Sequence, residues 1–193
     1  MKTTLALIAL VTLGLSSCTK KTSNDEKNDL TFLREEEKLA HDVYVYAFKK
    51  HNQSIFNNIS SSEQNHMEQV LTLLNKYDIP DPVANEAEGV FKDAKLQQLY
   101  NQLTAKSDSS LVKALEVGAI IEDLDINDIK GFYAHTSNSK IIDVYDALSC
   151  GSRNHLRSFT SQLSANNSTY KPQFITLTEY NSIISSSNEK CGK

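Results

Sequence analysis

Apolar residues recur along this chain at steps of three and four, the spacing of one face of an α-helix. The first such stripe reads Leu33, Glu37, Ala40, Tyr44, Ala47, and the second Ile59, Glu63, His66, Val70, Leu73, Tyr77. The third reads Leu111, Leu115, Gly118, Glu122, Asp125, Ile129, and the fourth Ile141, Tyr145, Leu148, Ser152, His155, Phe159. The pattern predicts four long helices over roughly Leu30–Lys50, Ser54–Tyr77, Leu111–Phe132 and Lys140–Ser164. The third either runs through or breaks near Asp125, with Asp125 as a new cap. A shorter helix opens at Asp93 with Leu96, Leu99, Tyr100 and Leu103 on one face, and Thr178 caps a last one carrying Tyr180, Ile183 and Ile184. Asp78-Ile79-Pro80-Asp81-Pro82 ends the second helix, because proline neither donates a backbone hydrogen bond nor fits a helix interior. No strand-like alternation and no repeat are present. The expected fold class is all-α, a four-helix bundle with an extra short helix after the second long one and another at the C-terminus.

Each stripe is interrupted by groups that a buried face normally excludes. A buried ion costs several kcal/mol, about the worth of a whole core side chain, unless something pairs with it. Glu63 and His66 are three apart and share a face, so both reach one point from one helix. Alone, a Glu-x-x-His pair is common on solvated helices; its place on an apolar stripe gives it meaning. A carboxylate with an imidazole suits iron, manganese or zinc better than calcium or magnesium, which take oxygen ligands. Glu37, Glu122 and His155 occupy the other stripes and complete the candidate metal ligands. Glu36 is one position from Glu37, and a small helix rotation exchanges the two. Asp125, one turn from Glu122, and Glu116, on the neighbouring face, are secondary candidates. Tyr44 is either core packing or a hydrogen-bond donor to a metal-bound carboxylate. Glu35 is expected to point outward beside Arg34 and Lys38, and His41, His51 and His135 to lie at the surface. Arg153 and Arg157 either pair with acidic residues of a neighbouring helix or neutralise the charge of the carboxylate cluster.

The 193 residues allow one domain with a sizeable core. Lys2, the apolar run Leu5 to Leu15, and Ser16-Ser17 form a secretory signal over residues 1–17. Leu15-Ser16-Ser17-Cys18 resembles the bacterial lipobox, which makes Cys18 a lipidation site and predicts a lipid-anchored protein of the bacterial cell envelope; an ordinary signal with a chance cysteine is the alternative. Residues 18–28 then form a flexible polar tether, residues 29–187 the bundle, and residues 188–193 a disordered tail. Cys150 and Cys191 are either joined in a disulfide or two free thiols. With 20 basic against 24 acidic residues and no basic block, nucleic acid is not an expected partner.

Glu37-Lys-Leu-Ala40-His-Asp-Val-Tyr44 resembles the first-helix pattern of rubrerythrins and ferritins, and Ser62-Glu63-Gln-Asn-His66 is similar to their second-helix pair. More closely, the chain resembles the ferritin-like family known as domain of unknown function 2202. Arg34 to Ala40, Ser62 to Met67, Leu115 to Ala119 with Ile121-Glu122, and Gly151 to Arg157 carry that resemblance, which spans roughly Leu30 to Ile184. It implies one or two iron or manganese ions held between four helices, chemistry with oxygen or peroxide, and no organic cofactor. Where ferritin-like enzymes commonly carry Glu-x-x-His on the fourth helix, this chain has Ser152-Arg-Asn-His155. Ser152 therefore replaces a carboxylate that would bridge two metals, and is expected behind the ligands with Tyr44.

The leading expectation is a metal-binding ferritin-like envelope lipoprotein acting as a ferroxidase or a peroxide- or oxygen-reducing oxidase. Two other readings use the same residues: a non-catalytic interaction lipoprotein whose core holds a salt-bridge network, and a structural zinc site. Metal content separates the three.

Overall fold

The computed structural model describes residues 22–192. Six α-helices and no strand are found among them: α1 (Asn24–His51), α2 (Ser54–Lys76), α3 (Ala94–Ser107), α4 (Leu111–Phe132), α5 (Ser139–Ala165) and α6 (Leu177–Ser185). A single 3₁₀ turn, Tyr133–His135, follows α4. The fold is all-α.

Local chemistry sets the ends. Ser23 and Glu26 form a reciprocal capping box, so α1 starts at Asn24, inside the stretch expected to be tether. Asp93, Ser110, Asn138 and Thr176 cap α3 to α6, each worth about 1 kcal/mol. Thr176, not Thr178, opens the last helix. Asn52, at φ 51°, turns the chain out of α1. α4 runs unbroken through Asp125, which is buried in its interior rather than capping a new helix.

Specific pairs fix the directions of the four long helices. Glu26 and Asp29 near the start of α1 bond to Thr136 and His135 just beyond the end of α4, while Tyr44 reaches Glu122. α1 and α4 are therefore antiparallel. Ser62 meets His155, and Tyr77 meets Asn138, so α2 and α5 are antiparallel too. α2 and α4 then run parallel, and residues 77–110, with α3, return the chain along the bundle. Charged residues of α1 hold this crossover. Arg34 pairs with Asp81, Lys38 bonds Ala87 O, Asp42 accepts from Gly89 N, and Glu35 accepts from Lys92 N and Asp93 N. Glu35 is thus buried against the crossover, not turned to solvent.

The core has two apolar clusters. One gathers Leu30, Leu33, Val70, Leu73, Leu74, Ile129, Ile141, Tyr145 and Leu148. The other holds Leu39, Tyr44, Phe56, Ile59, Leu115, Ile121, Leu156 and Phe159. Each fully buried large side chain contributes about 1.5–3 kcal/mol. Along every long helix, the polar stripe residues fall between the two. Gly118 belongs to this packing: a Cβ there would sit 2.4 Å from the Phe159 ring.

The C-terminal segment is tied down. Cys150 and Cys191 are joined by a disulfide, and Glu189 bonds both Arg153 and Arg157. The tail expected to be disordered is therefore ordered through Cys191, and the two arginines find their acid there rather than on a neighbouring helix. Residues 1–17 and Cys18, read as signal and lipidation site, lie outside the described residues.

Candidate metal centre

Glu37, Glu63, His66, Glu122 and His155, predicted from four separate stripes, come together in the polar layer. Two groups form. Glu37, Glu63 and His66 bring one ligand atom each within 4.8 Å of one another, and so do Glu63, Glu122 and His155. Glu63 belongs to both. Its Oε2 lies 2.7 Å from His66 Nδ1 and its Oε1 lies 2.8 Å from His155 Nδ1. His66 Nδ1 is also 3.2 Å from Glu37 Oε2, and His155 Nδ1 is 3.4 Å from Glu122 Oε2. Glu37, Glu63 and Glu122 are completely buried.

These contacts are close, yet most are not aligned as hydrogen bonds. Both Glu63 oxygens, Glu37 Oε1, Glu122 Oε2 and His155 Nδ1 are buried without a hydrogen-bond partner. Buried polar groups are almost always satisfied, so such a cluster calls for another partner. Atoms that lie side by side while unaligned for hydrogen bonding have the arrangement that a shared cation would require. The donor set of carboxylates and imidazoles fits a divalent transition metal.

Outer contacts hold the candidate ligands in place. Tyr44 donates its hydroxyl to Glu122 Oε1 at 2.6 Å, leaving Oε2 for the centre. His155 Nε2 lies 3.1 Å from Ser62 Oγ, which orients the ring with Nδ1 inward. The His66 ring occupies the space of a missing side chain: a Cβ on Gly151 would lie 2.6 Å from its Cε1 and Nε2. The two imidazole rings stack with centroids 5.7 Å apart. Ser152 is buried, but its hydroxyl donates to Leu148 O at 3.1 Å, within its own helix.

The secondary candidates divide. Glu116 is half-buried and pairs with Lys106 and Lys113, so it is not part of the centre. Glu36 and Asp125 are buried, and none of their four oxygens has a hydrogen-bond partner. No role at the centre was expected of Ser62, Gly151 and Asp128 from sequence. Gly151 did carry a signal, since glycine inside a helix costs about 1 kcal/mol relative to alanine and often marks a close approach.

Charge in the layer is unbalanced. Burial pushes Glu37 up to about 7 even though His66 pulls the other way. Glu36 stands well above the usual carboxylate range through burial and then the charge of Asp128, and Asp125 through burial and then Glu36. Burial also works to raise Glu63, but the charges of His155 and His66 outweigh it and hold that carboxyl far below normal. Burial works to lower His155, yet Glu63 and Glu122 raise it to about 10; His66 likewise stands well above normal, through Glu63 and Glu37. Five buried carboxyl groups thus face two imidazoles, an excess of acid that either protons or cations must fill.

Comparison with known proteins agrees with this architecture. Residues 26–187 match the family model described as an uncharacterized protein domain, DUF2202. The chain belongs to the DUF2202 family. It is 51% identical over 168 residues to the uncharacterized protein MJ0754 of Methanocaldococcus jannaschii, covering 87% of this chain and 91% of that protein. The crystal structure of hypothetical protein MJ0754 from Methanococcus jannaschii superposes with a TM-score of 0.85 at 46% identity, over 97% of this chain and 100% of that one. This corrects the location expected from the N-terminus. A DUF2202 relative this similar comes from an archaeon, so the bacterial cell-envelope assignment does not stand. Among the described residues, no helix is long and apolar enough to cross a membrane.

Proposed function

We propose that this DUF2202 protein is a ferritin-like metal protein holding two iron or manganese ions and acting as a ferroxidase or a peroxide- or oxygen-reducing oxidoreductase. The observation that carries it is the shared Glu63, flanked by His66 and His155 with its oxygens buried and unbonded. A single long crossover, Glu on two helices and Glu-x-x-His on a third follow the layout of ferritin-like carboxylate bundles, from which the fourth helix departs by carrying His155 without a carboxylate at Ser152. Glu37, Glu63 and His66 would hold one ion, and Glu63, Glu122 and His155 the other, with Glu63 in the bridging role that Ser152 cannot fill.

Iron or manganese bound there would supply one-electron redox chemistry toward oxygen or peroxide. The chain's own residues prepare that chemistry. Tyr44 keeps Glu122 oriented through its Oε1, and Ser62 keeps His155 from swinging. The apolar clusters on both sides keep bulk water from the layer. The imidazoles and Glu37 would give up their protons to a cation held there, so binding would release protons to solvent.

A salt-bridge network is the competing account, and the pairs of Glu63 with His66 and His155 favour it. It leaves the buried Glu36 and Asp125 without a cationic partner. Metal analysis of protein purified from its native host, and again after anaerobic iron(II) or manganese(II) loading, tests the proposal. About two ions per chain are expected, with Glu63→Ala emptying both groups and His155→Ala only its own. Zinc alone from the host would favour a structural site. No metal under any loading would leave the salt-bridge bundle.

A further inference from the structure

Three carboxylates outside the ligand set, Asp128, Glu36 and Asp125, have no cationic side chain paired with them among the described residues. On α4, Glu122, Asp125 and Asp128 follow at steps of three. Each step rises about 4.5 Å and turns back by about 60°. The series therefore winds from the core at Glu122 to the flank of the helix at Asp128. Asp128 is half-buried and lines a surface pocket of about 680 Å³ between α1 and α4, together with Asp29, Phe32, Asn127 and Glu179. In that pocket Asp29 and Glu179 face His135 and Lys130. Asp128 instead takes a hydrogen bond from the neutral amide of Asn127, at 3.0 Å.

Inward of Asp128 the carboxylates continue. Among the charges acting on Glu36, those of Asp128 and Glu37 are foremost; among those acting on Asp125, those of Glu36 and Glu37. Both side chains are about 99% buried and all four of their oxygens are unbonded. Two buried acids without a cationic partner lower stability, so their presence calls for a passing or resting cation. Among the described residues, only the two groups sharing Glu63 bring three ligand atoms within 4.8 Å. Asp128, Glu36 and Asp125 form no such convergent group. Spaced oxygen ligands bind a cation weakly at several points, which is what transit requires and firm storage does not.

We propose that Asp128, Glu36 and Asp125 form a loading path along which a hydrated divalent cation passes from the α1–α4 pocket to the layer around Glu63. The proposal rests on the reading of that layer as a metal centre, and the two fail differently in one experiment. Metal-free full-length protein is mixed with cobalt(II) in a stopped-flow spectrometer, and uptake is followed by ligand-field absorbance. Final stoichiometry is measured separately by elemental analysis. Wild type, Asp128→Asn, Glu36→Gln, Asp125→Asn and the off-path control Glu116→Gln are compared.

The path predicts an unchanged final stoichiometry in every variant. Loading slows at least tenfold in Glu36→Gln and Asp125→Asn and severalfold in Asp128→Asn, with the control at the wild-type rate. The amides keep the shape of the acids they replace, and Asp128→Asn, at the pocket, still reports should a buried variant fold poorly. Wild-type loading rates in Asp128→Asn and Glu36→Gln, with full stoichiometry, would overturn the path and leave the centre standing. Lost stoichiometry in Glu36→Gln or Asp125→Asn would also overturn it, by making those residues resting ligands. No cobalt uptake by wild type would remove the centre and the path with it.

Discussion

Gly151→Ala is the sharpest probe of how the fold positions a ligand. The new Cβ would lie 2.6 Å from both Cε1 and Nε2 of His66, about 1 Å short of a comfortable carbon contact of ~3.5 Å. The His66 ring is buried and its Nδ1 lies among Glu37 and Glu63, so moving the ring moves the ligand. Overpacking costs about 1–3 kcal/mol, and replacing a helical glycine by alanine returns up to about 1 kcal/mol. The net loss is then roughly 0–3 kcal/mol, or a melting point lowered by no more than about 12 °C in a chain of this size. Metal affinity should suffer more, because a change that disturbs the orientation of a ligating His typically costs 10–100-fold. Manganese(II) titration by calorimetry, beside thermal melts of the metal-free protein, separates the two effects. Affinity within twofold of wild type, in a variant that melts normally, would refute the idea that Gly151 seats a ligand.

Three further outcomes follow from the packing around the centre. Asp123 accepts from Tyr170 OH and from the backbone N–H groups of Gln173, Phe174 and Ile175; Asp123→Ala should cost about 3–5 kcal/mol in stranded donors, read as a melting point lower by roughly 10 °C. The disulfide spans 41 residues, so Cys191→Ser should lose up to about 4 kcal/mol if the chain-entropy account holds, measured by denaturant melts of the oxidised wild type and the variant. Hydrogen bonds from Arg153 and then Arg157 hold Glu189 down to about 2. Its contribution is complete above the unfolded value near 4.3 and is lost as pH falls from there through about 2. In Cys191→Ser, NMR relaxation of residues 186–191 should show the tail loosening across that window and staying docked at pH 6; equal mobility at pH 6 and pH 2 would count against the clamp.

Much of the centre was legible because buried charge on an apolar stripe is costly and therefore informative. Glu37, Glu63, His66, Glu122 and His155 all answer to that one test, and each is buried in the layer. The same test left Glu36 and Asp125 undecided, since periodicity cannot tell a ligand from an acid one position or one turn away. Other residues were illegible for a different reason: their partners are distant in sequence and are backbone groups. Glu35 satisfies the N–H groups of Lys92 and Asp93, and Asp123 those of the segment after Tyr170. A charge pattern along one helix carries no trace of such loops. The start of α1 was missed because residues 18–28 lack apolar positions, although Ser23 and Glu26 spell a capping box. The order of the tail rests on the Cys150–Cys191 bond and on Arg153 and Arg157, three contacts that sequence left open or assigned elsewhere.

The position of the polar layer bears on why the fold tolerates it. Apolar clusters above and below it, with residues such as Leu33, Leu73 and Leu148 on one side and Phe56, Ile121 and Phe159 on the other, are each large enough to hold four helices in register. The layer therefore need not contribute to folding, and without a cation it works against it. Any ion bound only by the folded state returns stability, about 2.7 kcal/mol at a hundredfold excess over its dissociation constant. The crossover and its α1 anchors Arg34, Glu35 and Lys38 lie on the outer side of the helix that carries Glu36 and Glu37. That places structural charge on one face of α1 and candidate metal chemistry on the other. The run Arg34-Glu35-Glu36-Glu37-Lys38 reads as a simple charged stretch, yet successive residues of it serve opposite ends: the outward ones anchor the crossover, and the inward ones place buried carboxyl groups in the polar layer.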